Sequence, residues 1–292
     1  MTTGRIIPDA KALADRYAVF GNPVAHSKSP RIHAAFARAC GENLRYETRM
    51  APIDGFAAAV RQFILECGGR AKGANVTVPF KEDAFRLADE HTPRARAAGS
   101  VNTLIFHANR VEGDNTDGAG LARDITENLA FSLAGKRILL IGAGGAARGI
   151  VAPLLALSPA ALVIVNRSVD KARALAAAFA DHMLAPQGMG FADLAATTPF
   201  DLVINATSAS LTGAALPLPA GIFAPEKSLA YDLMYGKGET PFLIQARQDG
   251  AGQLADGLGM LVEQAAESFF VWRGRRPSAD ARLALMRQLR AA

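Results

Sequence analysis

The chain has little of what metal sites, disulfide scaffolds and membrane segments require. Only two of its 292 residues are cysteines, Cys40 and Cys67, which lie far apart and share no motif with histidines. Neither a metal site nor a disulfide is therefore expected. No apolar run approaches the ~20 residues of a membrane helix, and the start of the chain, MTTGRIIPDAKALADRY, lacks the apolar segment of a secretory signal. We expect a cytoplasmic protein without a membrane partner.

Basic runs of the kind found in nucleic-acid-binding arms are also absent, so DNA and RNA are not expected as partners. Lys and Arg number 32 against 27 Asp and Glu, a formal net charge of +5. This excess suits either a solvated surface or an enzyme that collects anionic small molecules. Half of the residues are hydrophobic and 20% are charged, which is a globular composition sufficient for one large or two ordinary domains. Whether the protein is a monomer or a homodimer stays open.

Strand and helix patterns alternate along most of the chain, which predicts an α/β fold with largely parallel sheets. In the first part, strands are predicted at 16–21, 44–50 and 73–78, and as a pair at 100–106 and 110–114. Helices are predicted from Pro30 to about Cys40, after a cap at Asp54, over 80–91, and over 115–129. We place a domain boundary near Asp117–Gly118.

The second part begins with KRILLIGAGGAARGIVAPLLAL, an apolar strand, a glycine turn and a helix, which is typical of a doubly wound domain. The segments ALVIVNRS, FDLVINATS and SLAYDLMY supply further apolar strands, with helices between and after them. Two helices end the chain. The first carries an apolar stripe from Leu258 to Phe269, and the second spans about Ala279 to Leu289.

The glycine turn places Gly142, Gly144 and Ala147 in the G-x-G-x-x-G/A register of dinucleotide-binding domains. Gly142 permits a tight turn, Gly144 lets the backbone approach a pyrophosphate, and the helix N-terminus favours negative charge. The alternative is merely a tight strand–helix turn, but the context of strand and helix favours a cofactor. The residues predicted to contact it in this turn are Gly142, Ala143, Gly144, Gly145 and Ala146.

The next apolar strand ends in a segment that favours NADP over NAD. Enzymes that use NAD usually carry an acid at this point for the ribose 2′-hydroxyl. Here the segment is Asn166–Arg167–Ser168, with Lys171 one helical turn later. A neutral amide with two cations suits a 2′-phosphate, which a carboxylate would repel. Solvated charges at a helix start are the alternative interpretation.

A redox reaction between an alcohol and a ketone also needs a group that gives and takes a proton. Lys81 and Asp117 are the strongest pair in the sequence. Lys81 follows the strand of GANVTVPFKEDAF at the start of a predicted helix, where a cation does not help the helix. Asp117 lies in the polar loop GDNTDGAG at the domain boundary. An ordinary surface ion pair is the alternative.

Eight segments in order resemble the shikimate dehydrogenase family: AVFGNPVAHSKSP, KGANVTVPFKE, VNT, GDNTDG, GAGGAARG, NRS, NATS and ADGLGMLVEQAA. The match as a whole runs from about Tyr17 to Arg273. The resemblance implies NADPH-dependent reduction of 3-dehydroshikimate to shikimate on the pathway to chorismate and the aromatic amino acids. It also implies a substrate domain of residues 1–117 and 257–292, to which the C-terminal helices return, and a Rossmann-like NADP domain of residues 118–256.

Residue roles follow from the same resemblance. It assigns Lys81 and Asp117 as the catalytic pair, and it leaves open whether Lys81 acts as a proton donor or mainly as an electrostatic clamp. It implies substrate contacts for Ser27, Ser29, Thr77, Asn102, Tyr235 and Gln264. It implies cofactor contacts near the nicotinamide for Thr207, Ser208 and Leu233, and a close approach to the cofactor at Gly257. Loop or cap serines and strand residues that bond locally are the alternatives for the polar positions.

One departure from the family concerns the loop after NATS, where Ser210 stands in place of the usual glycine. We expect this serine to alter the loop over the nicotinamide. His26 lies in the predicted substrate loop, but it receives no acid–base role because Lys81 and Asp117 already fill it. The sequence argues against two other functions. A quinate/shikimate dehydrogenase that uses NAD does not suit the basic residues after Asn166 or the paired serines Ser27 and Ser29, and a non-catalytic NADP-binding regulator should have lost the lysine or the aspartate, which this chain retains.

Overall fold

Two six-stranded sheets with helices packed on them form the part of the chain that the structure describes. This computed structural model describes residues 13–213, 215–236 and 238–291. Residues 1–12, which the sequence assigns to the first domain and in which we expect no secretory signal, lie outside the described residues. The predicted α/β class is confirmed.

The first sheet is mixed, with the strand order β2-β1-β3-β5-β6-β4. Strand β3 pairs in parallel with β1 but antiparallel with β5, and β5 pairs antiparallel with β6. Its strands are β1 (Asp15–Gly21), β2 (Leu44–Met50), β3 (Ala71–Val76), β4 (Glu90–His91), β5 (Thr103–Phe106) and β6 (Val111–Asp114). Its helices are α1 (Ser29–Cys40), α2 (Phe56–Glu66), α3 (Lys81–Leu87) and α4 (Pro93–Ala98).

Two predicted features of this sheet were wrong. The helix predicted over 80–91 ends at Leu87, because Glu90 and His91 instead pair in parallel with β6. The cap predicted at Asp54 does not form either: α2 begins at Phe56, with Gly55 at its N-cap and no side-chain cap bond. Strand pairing overrides the helical signal at Glu90 and His91. At the start of α2, a turn in which the Gly55 N–H donates to the Pro52 carbonyl at 3.0 Å places Gly55 rather than Asp54 at the N-cap.

The second sheet is wholly parallel, with the order β12-β11-β10-β7-β8-β9. This is the doubly wound arrangement predicted from the sequence. Its strands are β7 (Arg137–Ile141), β8 (Ala161–Val165), β9 (Gln187–Met189), β10 (Leu202–Asn205), β11 (Leu229–Asp232) and β12 (Gln253–Asp256). Its helices are α6 (Gly145–Leu155), α7 (Val169–Ala177), the single turn α8 (Ala209–Thr212) and α9 (Pro241–Gln248).

Helix α5 (Asp117–Arg123) lies between the two sheets and continues as a π-helical turn, Asp124–Asn128. Glycines bring it close to helices on both sides. A Cβ on Gly118 would lie 2.3 Å from Cγ of Pro153 on α6, and one on Gly120 would lie 2.5 Å from the Gln264 backbone nitrogen. The start of α5 is therefore held against both halves of the molecule.

The last two helices, α10 (Leu258–Arg273) and α11 (Ala279–Arg290), pack on the first half of the molecule. Their apolar residues join Ile32 and Phe36 of α1 in one buried cluster that includes Val262, Phe269 and Leu285. The Trp272 indole also donates to the carbonyl of Leu104 on β5 at 3.0 Å. The predicted return of the C-terminal helices is confirmed. No helix in the described ranges combines the length and apolar character needed to cross a membrane.

Candidate active site

A cleft of about 630 Å³ lies between the two sheets, and residues from both halves line it. The first half and α10 contribute the catalytic residues and all the predicted substrate residues except Tyr235, together with His26. Tyr235 comes from the second half, after β11. The second half contributes residues of the predicted cofactor set. Of the residues singled out from the sequence, the cleft brings together Ser27, Ser29, Thr77, Lys81, Asn102, Asp117, Ala146, Thr207, Ser208, Leu233, Tyr235, Gly257 and Gln264.

Lys81 and Asp117 are in direct contact although separate elements carry them. Each is the first residue of a helix, α3 and α5 respectively. The Lys81 Nζ donates to Oδ2 of Asp117 at 2.5 Å. The lysine side chain is 27% exposed and the aspartate side chain 9%, so the lysine can reach a bound molecule while the carboxylate stays largely enclosed.

Asn102 fixes the other carboxylate oxygen of Asp117. Its Oδ1 accepts from the backbone N–H of Thr116 at 2.9 Å, and because that group can only donate, the side-chain amide has one orientation. Its Nδ2 then donates to Oδ1 of Asp117 at 2.7 Å. The two oxygens of Asp117 are thus divided between Asn102 and Lys81.

A buried polar network that the sequence did not reveal supports Asn102 from behind. Thr103 Oγ1 donates to the Oδ1 of Asn102 at 2.8 Å, and Ser268 Oγ lies 2.8 Å from Thr103 Oγ1. Asn75 Nδ2 donates to Ser268 Oγ at 3.0 Å and to the Asn102 carbonyl at 3.2 Å. The available signal was Asn75, a polar residue directly between the apolar residues Ala74 and Val76 of β3.

The network ends at His33, which is 1% exposed and stacks on Tyr46 with ring centroids 4.3 Å apart. Asn75 Nδ2 faces a carbonyl, so its Oδ1 faces His33 Nε2 at 3.2 Å and also accepts from the Tyr46 hydroxyl at 2.8 Å. His33 therefore carries its proton on Nε2. Burial lowers the pKa of His33 to about 3, and the hydrogen bond with Asn75 offsets only part of that effect.

The remaining predicted substrate residues show two local arrangements. Ser27 Oγ accepts from the backbone N–H of Ser29 at 3.2 Å, so the two serines form one turn at the entry of α1. Gln264 donates from Nε2 to the carbonyl of Leu261 at 2.8 Å. Its Oε1 therefore faces the cleft, 3.4 Å from Asn102 Nδ2. Burial raises the pKa of Tyr235, which keeps its hydroxyl protonated as a donor.

The glycine turn between β7 and α6 fits a pyrophosphate. Gly142 has φ +113°, which a side chain would strain, and its N–H bonds the carbonyl of Val165 on β8 at 2.7 Å. Positions 144 and 145 have open space where a Cβ would stand, so an anion can approach the backbone at the start of α6. Ala143 and Ala146 complete the turn.

The predicted 2′-phosphate segment follows β8, the neighbour of β7 in the sheet. Asn166 Nδ2 donates to the carbonyl of Ser168 at 3.0 Å, which closes the turn into α7. The side chains of Arg167 and Lys171 are exposed and free to meet a phosphate. These residues do not line the cleft itself, as expected for the end of a dinucleotide remote from the nicotinamide. The described ranges contain no group of three or more His, Cys, Asp or Glu that could hold a metal ion.

The cofactor side of the cleft is formed by segments that follow β10 and β11. Asn205 Oδ1 accepts from the Thr207 hydroxyl at 2.7 Å and from the Thr207 N–H at 3.0 Å. A Cβ on Gly257 would lie 2.1 Å from the carbonyl oxygen of Leu233, so glycine is required for these two segments to touch. Ser210 turns its hydroxyl to Asp232.

Three family models match successive parts of the chain. They describe the shikimate dehydrogenase substrate binding domain over residues 19–104, shikimate/quinate 5-dehydrogenase over residues 121–212, and the shikimate 5′-dehydrogenase C-terminal domain over residues 257–288. A curated relative, the shikimate dehydrogenase (NADP(+)) of Dechloromonas aromatica, is 66% identical over 276 residues, which cover 94% of this chain and 98% of the relative.

Solved structures are also similar to this chain along nearly its whole length. An Ael1 enzyme from Pseudomonas putida is 48% identical, with a TM-score of 0.87 and coverage of 94% of this chain and 98% of that one. A shikimate 5-dehydrogenase from Thermus thermophilus, solved in complex with NADP(H) and shikimate, is 31% identical. Its TM-score is 0.81, and the match covers 94% of this chain and 99% of that one.

Proposed function

The chain belongs to the shikimate dehydrogenase family, and on that premise we propose that it catalyses the reversible NADPH-dependent reduction of 3-dehydroshikimate to shikimate. This is a step towards chorismate and the aromatic amino acids. The observation that carries the proposal is that Lys81 Nζ lies 2.5 Å from Asp117 Oδ2 in a cleft that Ala146, from the glycine turn, also lines.

NADPH supplies the hydride when it is bound. The residues that would hold it are the glycine turn at 142–146, the segment Asn166–Arg167–Ser168 with Lys171, and the cleft residues Thr207, Ser208, Leu233 and Gly257. The NADP(+) in the name of the 66% identical relative agrees with the preference predicted from the two exposed cations.

Lys81 donates a proton to the carbonyl oxygen of the substrate and takes it back in the reverse direction. Asp117 holds the ammonium through Oδ2 while Asn102 holds its Oδ1, so the lysine has a fixed position when the substrate arrives. A positioned proton donor of this kind contributes roughly 10²–10⁴-fold to a rate.

The other candidates orient the substrate. Ser27 and Ser29 offer neutral hydroxyl donors to a carboxylate, while Thr77, Asn102, Tyr235 and Gln264 offer partners to ring hydroxyls. A site that hydrogen-bonds a substrate hydroxyl rejects analogues that lack it, because its buried polar groups would lose their partners. The support for this assignment is that all six residues line the same cleft as Lys81.

We also propose the domain division predicted from the sequence, with residues 1–117 and 257–292 binding substrate and residues 118–256 binding NADP. Supporting it, α10 and α11 share an apolar cluster with α1, and the family models separate near the same points. We propose the cytoplasm as the compartment, because both described cysteines are free and NADPH-dependent biosynthesis uses the cytoplasmic pool.

The test is a panel of steady-state rates with shikimate and quinate, each paired with NADP+ and with NAD+. Absorbance of the reduced nicotinamide gives the rate. The proposal expects kcat/KM to be highest for shikimate with NADP+. Highest activity for quinate with NAD+ would contradict the proposal and favour an NAD-dependent quinate/shikimate dehydrogenase. Binding of NADP+ without any turnover would favour a non-catalytic NADP-binding regulator.

A further inference from the structure

Asp232, the last residue of β11, carries a fully buried carboxylate that no cation neutralises within the described residues. Its exposed fraction is 0%, and none of the Lys, Arg or His side chains that the structure describes pairs with it within 4.0 Å. An isolated buried charge is costly unless hydrogen bonds compensate it. The surroundings of Asp232 must therefore supply these bonds.

Four donors meet this one carboxylate, and they come from three separate segments. Oδ1 accepts from Asn205 Nδ2 at 3.2 Å and from the Met234 N–H at 3.0 Å. Oδ2 accepts from the Ser210 hydroxyl at 2.6 Å and from the Thr240 hydroxyl at 2.5 Å. Asn205 ends β10 and Ser210 lies in the segment after it, Met234 follows β11, and Thr240 caps the N-terminus of α9.

Two of these three segments form the cofactor side of the cleft. Thr207 and Ser208 lie between Asn205 and Ser210, and Leu233 and Tyr235 flank Met234. Asp232 itself has no surface in the cleft, so it cannot touch a ligand. Its carboxylate holds together the segment after β10 and the segment after β11, which form the cofactor side of the cleft.

We propose that Asp232 is a positioning residue that sets the nicotinamide-side wall of the cleft, and that the Ser210 hydroxyl is an attachment a glycine at that position cannot provide. This inference rests on the proposed function, because the wall matters only if a nicotinamide cofactor binds there. It concerns the nicotinamide half of the cofactor alone, since the glycine turn and Arg167 follow β7 and β8.

The pattern of donors identifies a conservative replacement. The two groups on Oδ1, a side-chain amide and a backbone N–H, can only donate, whereas the two groups on Oδ2 are hydroxyls that can also accept. Asparagine at this position can keep its oxygen towards Asn205 and Met234 and direct its NH2 group at Ser210 and Thr240. Asp232→Asn thus preserves the attachments and removes the charge, whereas Asp232→Ala removes the attachments.

The experiment compares two ligands across these variants of the full chain. NADPH binding, followed by its fluorescence, reports the whole site. Adenosine 2′,5′-bisphosphate, followed by calorimetry, reports only the adenine half. Asp232→Ala should weaken NADPH binding about tenfold or more, equivalent to ~1.4 kcal/mol, and change bisphosphate binding less than about twofold. Asp232→Asn should keep NADPH within about threefold of the parent.

Ser210→Ala keeps the test decisive if Asp232→Ala does not fold, because it deletes one hydroxyl from a partly exposed residue. It should weaken NADPH binding about two- to fivefold and leave bisphosphate binding unchanged. Ser228→Ala is the matched control: this hydroxyl is also buried in the second half but has no hydrogen-bond partner among the described residues. Both ligands should bind this control as they bind the parent.

Equal weakening of both ligands would overturn the inference, and so would unchanged NADPH binding in both Ser210→Ala and Asp232→Ala, or in Ser210→Ala alone if Asp232→Ala does not fold. An Asp232→Asn variant as weak as Asp232→Ala would overturn it as well, since charge rather than attachment would then matter. If the unsubstituted chain bound neither ligand, the proposed function itself would fail. Binding by the parent with no effect in the variants would reject the positioning role only.

Discussion

Lys81 and Asn102 share the carboxylate of Asp117, one on each oxygen, at 2.5 and 2.7 Å. The charge of the lysine is held by an oxygen that cannot rotate away, because the other oxygen is bound to an amide whose own orientation is fixed by the Thr116 N–H. Lys81, Asp117 and Asn102 therefore form one preorganised group. Substitutions in this group should affect the catalytic rate and ligand binding to different extents.

Replacing Lys81 by alanine should lower kcat roughly 10²–10⁴-fold, because the substrate oxygen loses its proton donor. NADPH affinity, measured by fluorescence, should stay close to that of the parent, since Lys81 lies on the substrate side of the cleft. Lys72→Ala removes an exposed lysine of β3 and should leave both quantities unchanged. A Lys81→Ala enzyme within tenfold of the parent kcat would exclude Lys81 as the proton donor.

Replacing Asp117 by asparagine should reduce kcat by about 10²-fold or more with a small effect on folding. The new amide can still accept from Asn102 through its oxygen, but its NH2 group then faces the Lys81 ammonium, so donor meets donor. Asp83→Asn is the control, since Asp83 pairs with Arg86 in a largely exposed position and such pairs contribute little. Rates from NADPH absorbance and midpoints from urea unfolding separate the two effects. A parent-like rate in Asp117→Asn would refute the role of the charge.

Removing the side chain of Arg167 should raise the KM for NADPH about tenfold, because a charge-assisted bond to the 2′-phosphate is lost. The KM for NADH, which lacks this phosphate, should hardly change. Arg173→Ala removes an exposed arginine from the following helix α7 and changes the net charge by the same amount as Arg167→Ala. If both arginine variants shifted the NADPH KM equally, the effect would be one of overall charge, and the 2′-phosphate site would lie elsewhere.

His33 should make the fold sensitive to mild acid. Its pKa falls from the usual 6.5 to about 3 on folding, so below pH 6.5 the unfolded chain takes up a proton that the folded chain does not. Stability is then full above pH 6.5 and decreases as the pH falls towards 3, by about 2 kcal/mol at pH 5. Urea unfolding at pH 7 and pH 5 measures this difference.

His33→Phe keeps a ring against Tyr46 but cannot titrate, so the difference between the two pH values should shrink by about 2 kcal/mol. The variant will be less stable at pH 7, because Asn75 loses one partner, which is why the comparison is made between pH values within each protein. His182→Asn, at an exposed position, is the control and should keep the difference of the parent. An unchanged difference in His33→Phe would reject this origin of acid sensitivity.

Regular apolar strands made most of the architecture predictable. Strands such as β7 and β8 are continuous apolar runs between turn residues, and a buried parallel sheet requires that pattern. The failures fall where the local signal is weak or contradicted. Glu90 and His91 continue a helical pattern yet pair with β6, and β12, with the sequence QLAD, carries no apolar run and exists because β11 offers it an edge.

The family motifs named many of the residues that line the cleft, but the groups behind it were not predictable from the sequence. Asn75 and Asp232 lie in predicted strands and Ser268 in a predicted helix, where the pattern gives a polar side chain no assigned partner. Each of these side chains forms hydrogen bonds with partners that are distant in the sequence. Asn75 and its partner Ser268, for example, are 193 positions apart. Only coordinates bring such partners together. The departure at Ser210, which the sequence raised as a question about its loop, corresponds to a hydrogen bond to Asp232.

The close packing of α5 also bears on how natural and laboratory variation in this chain is interpreted. Gly118 and Gly120 touch no ligand, yet a side chain at either would push the first turn of α5 away from Pro153 or Gln264, and Asp117 begins that turn. A saturation library selected for growth should lose variants at 118 and 120 as completely as variants at Lys81, while tolerating small residues at Ala119 between them. Intolerance at these two positions would reflect the close spacing of α5 to α6 and α10. A variant there would be inactive although it keeps every side chain that acts on the substrate or the cofactor.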